Sequence, residues 1–140
     1  MILLDTNVIS ELVRAAPNPA VVAYVGGLGP DTVFTAAVCE AEIRYGLARM
    51  PGGRKRDELI ARMDTFFESG FRDQVLPFDQ PCATLYGAIR HAREAAGKPI
   101  EVEDAMIAAT ARAYGAIIAT RNTKDFADCG VPLIDPWLTA

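Results

Sequence analysis

Three bulky apolar residues, Ile2-Leu3-Leu4, stand together with no polar alternation and run directly into Asp5-Thr6-Asn7. Such a run reads as a short strand buried on both faces, the kind found inside a parallel sheet. The pattern recurs late in the chain, where Ala116-Ile117-Ile118-Ala119 leads into Thr120-Arg121-Asn122-Thr123-Lys124-Asp125-Phe126. Weaker β-prone runs are Thr32-Val33-Phe34, Val75-Leu76-Pro77-Phe78 and Val131-Pro132-Leu133-Ile134. Pro77 places the third strand near an edge. Strands alternating with helices point to an α/β fold, a three-layer sandwich in which helices cover both faces of a short parallel sheet through right-handed crossovers.

The helices are legible from caps and spacing. Thr6 and Asn7 offer N-cap side chains to a helix that Val8, Ile9, Leu12 and Val13 carry to about Arg14. Asn18-Pro19 opens a second helix through Ala20 to Val25, which Gly26 and Gly27 end. Thr35 is placed to cap a third, from Ala36 to about Met50. After Pro51-Gly52-Gly53, a fourth begins at Arg54-Lys55-Arg56, with Leu59, Ile60, Met63 and Phe67 spaced for burial. Asp79 caps a fifth from Pro81 to Ala96, and a sixth, rich in alanine, runs from Val102 to Tyr114. The segment Gly26-Gly27-Leu28-Gly29 follows a helix and leads to Pro30, which is the wrong context for a phosphate-binding loop.

A length of 140 residues with 51% hydrophobic content predicts one domain spanning 1–140. The formal net charge of -4 is opposite to the balance of an electrostatically driven nucleic-acid binder, so any such role depends on where the charges sit. Cys39, Cys82 and Cys129 form no C-x-x-C pair, which argues against a disulfide scaffold or zinc site and for a reducing compartment. With no basic leader and no apolar stretch near the roughly 20 residues of a membrane span, a soluble cytoplasmic protein is expected.

Singly, the acids have ordinary roles. Asp5 suits a helix cap, Asp104 the positive end of a helix dipole, Glu42 a solvated face and Asp125 a turn cap. Their placement together changes the reading. Asp5 and the Asn122/Asp125 pair follow apolar strands and so share the sheet's carboxyl edge, and Glu42 and Asp104 lie in early turns of helices that begin there. Four acids converging without a basic counterpart repel strongly unless a divalent cation sits among them. Oxygen ligands without His or Cys indicate Mg2+ or Mn2+, which can activate water and stabilise an in-line phosphoryl displacement. His91, the sole histidine, lies in the helix from Pro81 to Ala96 with Arg90 and Arg93 beside it, and a solvated surface role suits it better than general-base work.

Four segments in this order resemble the PIN-domain nucleases, and within them the VapC toxins of type II toxin-antitoxin pairs, especially the FitB-like branch. They are Leu4-Asp5-Thr6-Asn7-Val8-Ile9-Ser10-Glu11, Ala41-Glu42-Ile43-Arg44-Tyr45-Gly46-Leu47, Glu103-Asp104-Ala105-Met106-Ile107-Ala108-Ala109 and Thr120 to Phe126, with Ile134-Asp135-Pro136-Trp137 resembling the FitB-like ending. The resemblance implies that Asp5, Glu42 and Asp104 bind the metal and that Thr6 and Thr120 orient them through hydrogen bonds. Many PIN domains carry a fourth acid directly after Thr-Arg. This chain has Asn122 there, with Asp125 three residues on, and either can serve.

The resemblance further implies a Mg2+- or Mn2+-dependent endoribonuclease, a homodimer or a larger toxin-antitoxin assembly, and a small antitoxin with a DNA-binding domain whose tail blocks the acidic pocket. No membrane partner is implied. Arg121, Lys124, Arg54, Lys55 and Arg56 are candidates to grip RNA at the rim. A non-catalytic PIN-fold module that binds its partner in transcriptional regulation is the alternative, and the intact acids argue against it. A receiver-type phosphotransfer domain fits less well, because no acceptor aspartate follows the third strand before Asp79.

Overall fold

The computed structural model describes residues 1–139. The first apolar run is strand β1 (Ile2–Leu4), and it occupies the middle of a five-stranded sheet with β2 (Val33–Ala36), β3 (Val75–Leu76), β4 (Ile117–Ala119) and β5 (Leu133–Ile134). All pairings are parallel, in the order β3-β2-β1-β4-β5. Leu3 lies opposite Phe34 on one side and Ile118 on the other.

Strand periodicity divides the core into two layers. Leu3 and Ile118 point to one face, where α5 (Gln80–Ala95) and α6 (Val102–Tyr114) cover them. Leu4 and Ala119 point to the other, beneath α1 (Thr6–Leu12), α2 (Pro19–Gly26) and α4 (Arg54–Thr65). The remaining helix, α3 (Ala37–Arg49), gives Val38 and Cys39 to the first layer and Ile43 and Leu47 to the second. Leu3, Leu4 and Ile118 have no exposed surface, a burial worth about 1.5–3 kcal/mol for each side chain. In α6, Ala105, Ala108, Ala109 and Ala111 are fully buried, and their small side chains let the helix lie close to its neighbours. Gly115 ends that helix at φ 68°, a left-handed conformation suited to glycine. The three cysteines are all free and buried.

The topology fixes where a crevice opens. From β1 the chain lays β2 and β3 on one side, then returns to place β4 and β5 on the other. The carboxyl ends of β1 and β4 therefore flank the switch point, where open α/β sheets bind ligands. Asp5 and Thr120 follow those two strands directly.

Two caps differ from the sequence reading. The N-cap of α1 is Asp5, as that residue taken singly suggests, and not Thr6 or Asn7, with its Oδ1 accepting the Thr6 N–H at 2.8 Å. The Asp5 N–H is still bonded to the Ala119 carbonyl, so the strand hands over to the helix with Asp5 alone between them. Thr35 caps nothing. Strand β2 continues through Ala36, which holds Thr35 in the sheet with its hydroxyl donating to the Leu4 carbonyl at 2.8 Å. Asp79 does occupy the N-cap position of α5, but its carboxylate accepts from the Tyr114 hydroxyl at 2.6 Å and the Cys82 thiol at 3.0 Å.

Candidate active site

The site is built outward from Asp5, which is 5% exposed. Its Oδ2 accepts from the Thr120 hydroxyl at 2.8 Å and from the Asn7 amide at 3.1 Å. With the Thr6 N–H on Oδ1, three of the roughly four acceptor positions of a carboxylate are filled by neutral donors. Burial raises the pKa of Asp5, these hydrogen bonds oppose the rise, and the charge of Asp125 adds to it.

Thr6 links the second acid to the first, because its hydroxyl donates to Glu42 Oε1 at 2.9 Å. Glu42 stands in the second turn of α3, half-buried, with its pKa raised by burial and then by Asp5 and Glu103. Asp104, the third residue of α6, is pushed up to about 7 by burial first and then by the charges of Asp5, Asp125, Glu42 and Glu101. Asp5, Glu42 and Asp104 thus sit within electrostatic reach of one another, and none has a lysine or arginine among its hydrogen-bond partners.

Asp125 is exposed on a short 3-10 turn, Thr123–Phe126, and joins the group through its charge. The side chain of Asn122 is also exposed, while its backbone N–H donates to Thr120 Oγ1 at 3.1 Å. Thr120 is fully buried and takes part in three of these hydrogen bonds at once, as the resemblance implied for an orienting residue.

The gathering is loose. Among the described residues no three carboxylate, imidazole or thiol groups lie close enough to enclose an ion unaided. The donor chemistry nevertheless suits a hydrated hard cation: an oxygen position remains open on Asp5, Glu42 Oε2 accepts no hydrogen bond, and Mg2+ keeps several waters while binding through one or two carboxylates.

Of the cations proposed for the rim, two reach it. Arg121 and Lys124 line a shallow pocket with Asn122 and Asp125. Arg121 also lines a cleft of about 610 Å³ with Thr6, Asn7, Glu42 and Trp137, whose floor is largely apolar. Arg54, Lys55 and Arg56 open α4 and border neither space, and Arg54 is paired with Glu58 at 3.0 Å. Asn7 does more than the sequence suggested. It bridges Asp5, Thr120 and the Arg121 N–H, to which its Oδ1 is bonded at 3.1 Å. The signal was an amide two residues after a carboxylate at a strand end, but its other two partners lie more than a hundred residues away in sequence.

The chain belongs to the PIN-domain family, whose pattern it matches over residues 2–131. It is similar to Toxin FitB of Neisseria gonorrhoeae, 41% identical over 137 residues that cover 98% of this chain and 99% of FitB. It is also similar to the VapC ribonuclease Y4jK of Sinorhizobium fredii, 40% identical over 98% of each chain. Among solved structures, the crystal structure of FitAcB from Neisseria gonorrhoeae matches with a TM-score of 0.90 at 40% identity, covering 99% of both chains.

Proposed function

We propose that the protein is the toxin of a type II toxin-antitoxin pair, a Mg2+- or Mn2+-dependent endoribonuclease that acts in the cytoplasm as one PIN domain. The observation that carries this reading is the group of acids at the switch point. Asp5, Glu42 and Asp104 stand at the carboxyl edge of the central strands with no cation among their hydrogen-bond partners, and the charge of Asp5 raises the pKa of both Glu42 and Asp104. FitB and Y4jK, named a toxin and a ribonuclease, support the assignment.

Asp5, Glu42 and Asp104 would hold the ion, with Asp125 or Asn122 on its outer side. When bound, the ion supplies a Lewis acid for the phosphodiester and lowers the pKa of the attacking water. Thr120, Asn7 and the Thr6 N–H fix the Asp5 carboxylate, and the Thr6 hydroxyl fixes Glu42. Both carboxylates would therefore be held ready for the ion without reorganising. Water adds to phosphorus in line as the bond to the 3′ oxygen breaks, leaving a 5′-phosphate and a 3′-hydroxyl. A homodimer, inhibited by a small DNA-binding antitoxin whose tail enters the cleft beside Glu42, completes the reading. A relative solved as FitAB bound to a DNA fragment supports the DNA-binding partner.

The test is expression and RNA cleavage by Asp104→Asn and Asp5→Asn. Asparagine keeps the α1 cap that alanine would remove. Both variants are expected to fold and to lose Mn2+-stimulated cleavage and growth arrest. Retained cleavage in both would overturn the assignment.

A further inference from the structure

The carboxyl ends of β4 and β5 are neighbours in the sheet, and each delivers an unusual side chain to the mouth of the site. Arg121 follows β4, and its guanidinium carbon lies 5.0 Å from the centre of the Trp137 ring, which follows β5. Arg121 is exposed, and among the described residues it forms no ion pair and its side chain donates no hydrogen bond. Of the three other arginines lying on aromatic rings, Arg49, over Tyr45, is also without an ion pair among the described residues but borders neither space of the site, and the other two are committed differently. Arg44, over Phe67, is paired with Glu40 and Asp64, and Arg90, over Tyr86, with Glu94.

Trp137 is itself held firmly. Its backbone N–H donates to Asp135 Oδ1 at 2.9 Å, it follows the fully buried Pro136, and its ring packs on the core layer that contains Leu4 and Val8. The backbone of Arg121 is tied to the acids through Asn7. One guanidinium with no ion pair among the described residues, its charge felt by the buried Glu11, is thereby placed between the cleft beside Glu42 and the Asn122–Asp125 turn.

We propose that Trp137 is a positioning residue for substrate binding: its indole face holds the Arg121 guanidinium at the rim of the acidic edge, where it receives a phosphate of the RNA strand. The proposal rests on the ribonuclease reading above. An RNA strand approaching four carboxylates meets repulsion before it meets the ion, and a fixed cation beside them offsets it. Stacking on the ring face restrains a long, flexible side chain and leaves the guanidinium N–H edges free for a bidentate grip on phosphate oxygens.

Trp137 is the only tryptophan in the chain, so its fluorescence reports on the surroundings of this one indole, Arg121 among them. A single-stranded oligouridylate titrated into the wild type in EDTA is expected to change the emission saturably, and Arg121→Gln to abolish the response. In steady-state cleavage, Arg121→Gln should raise KM about ten-fold with kcat little changed, and should lower the salt slope of RNA binding by about 0.7. Trp137→Leu should raise KM about three-fold, Trp137→Phe should restore most of that loss, and the double variant should bind no worse than Arg121→Gln alone. RNA that binds and is cleaved with no change in emission would overturn the proposal while leaving the ribonuclease reading intact. Additive effects of the two substitutions, or a fall in kcat at unchanged KM in Trp137→Phe, would overturn it likewise. A wild type that neither binds nor cleaves RNA would remove the ribonuclease reading, and the proposal with it.

Discussion

Asp104 carries the clearest consequence of crowding the acids. Its carboxyl is pushed up to about 7 by burial and by the charges of Asp5, Asp125 and Glu42, so the folded protein keeps a proton that the unfolded chain releases near the ordinary value of 3.8. The folded state binds more protons across that window, and the contribution of Asp104 to stability is lost as pH rises toward 7. In metal-free protein, urea midpoints should fall between about pH 4 and pH 7 for the wild type relative to Asp104→Asn. Parallel pH profiles would contradict this. Thr120 is the second residue whose chemistry is specific, since one buried hydroxyl donates to Asp5 and accepts from Asn7 and Asn122. Thr120→Val should destabilise by about 2 kcal/mol in chemical denaturation and depress cleavage, with Thr120→Ser recovering most of both. The acids were readable in sequence because each sits at a strand end or an early helical turn. The neutral groups that orient them were readable only in part, because hydrogen bonds such as Asn7 to Arg121 depend on which strands become neighbours.

At the scale of elements, apolar runs and helical spacing located all five strands and six helices, since burial on one or both faces leaves a periodic trace in the sequence. The details decided by tertiary contact were not legible. Thr35 looks like a cap and is a sheet residue, because nothing local says whether β2 stops before or after it. Arg93 looks like a solvated helical arginine, yet it is 6% exposed. Its guanidinium donates to the carbonyls of Lys98, Asp125 and Ala127 at 2.7, 3.0 and 2.8 Å. That side chain ties α5 to the loop that leads into α6 and to the turn that carries Asp125, the two segments that present Asp104 and Asp125. Arg93→Met should cost about 3 kcal/mol in thermal or chemical unfolding, because it leaves buried carbonyls without donors. A change below about 0.5 kcal/mol would show that the carbonyls find water instead.

For the whole molecule, the formal net charge of -4 first argued against a nucleic-acid partner, and the structure accounts for it by gathering acids at one edge with Arg121 and Lys124 beside them. A cation bound at that edge relieves the repulsion among Asp5, Glu42 and Asp104, so divalent metal should stabilise the folded chain as well as enable cleavage. The central claim is that these acids hold a divalent ion, and Mn2+ titration calorimetry near pH 7, repeated in two buffers of different ionisation enthalpy, tests it most directly. Binding should drive the proton from Asp104, so the wild type should bind Mn2+ with proton release, while Asp104→Asn should bind at least about ten-fold more weakly and release none. Equal Mn2+ affinity and equal proton release in the two proteins would contradict the account.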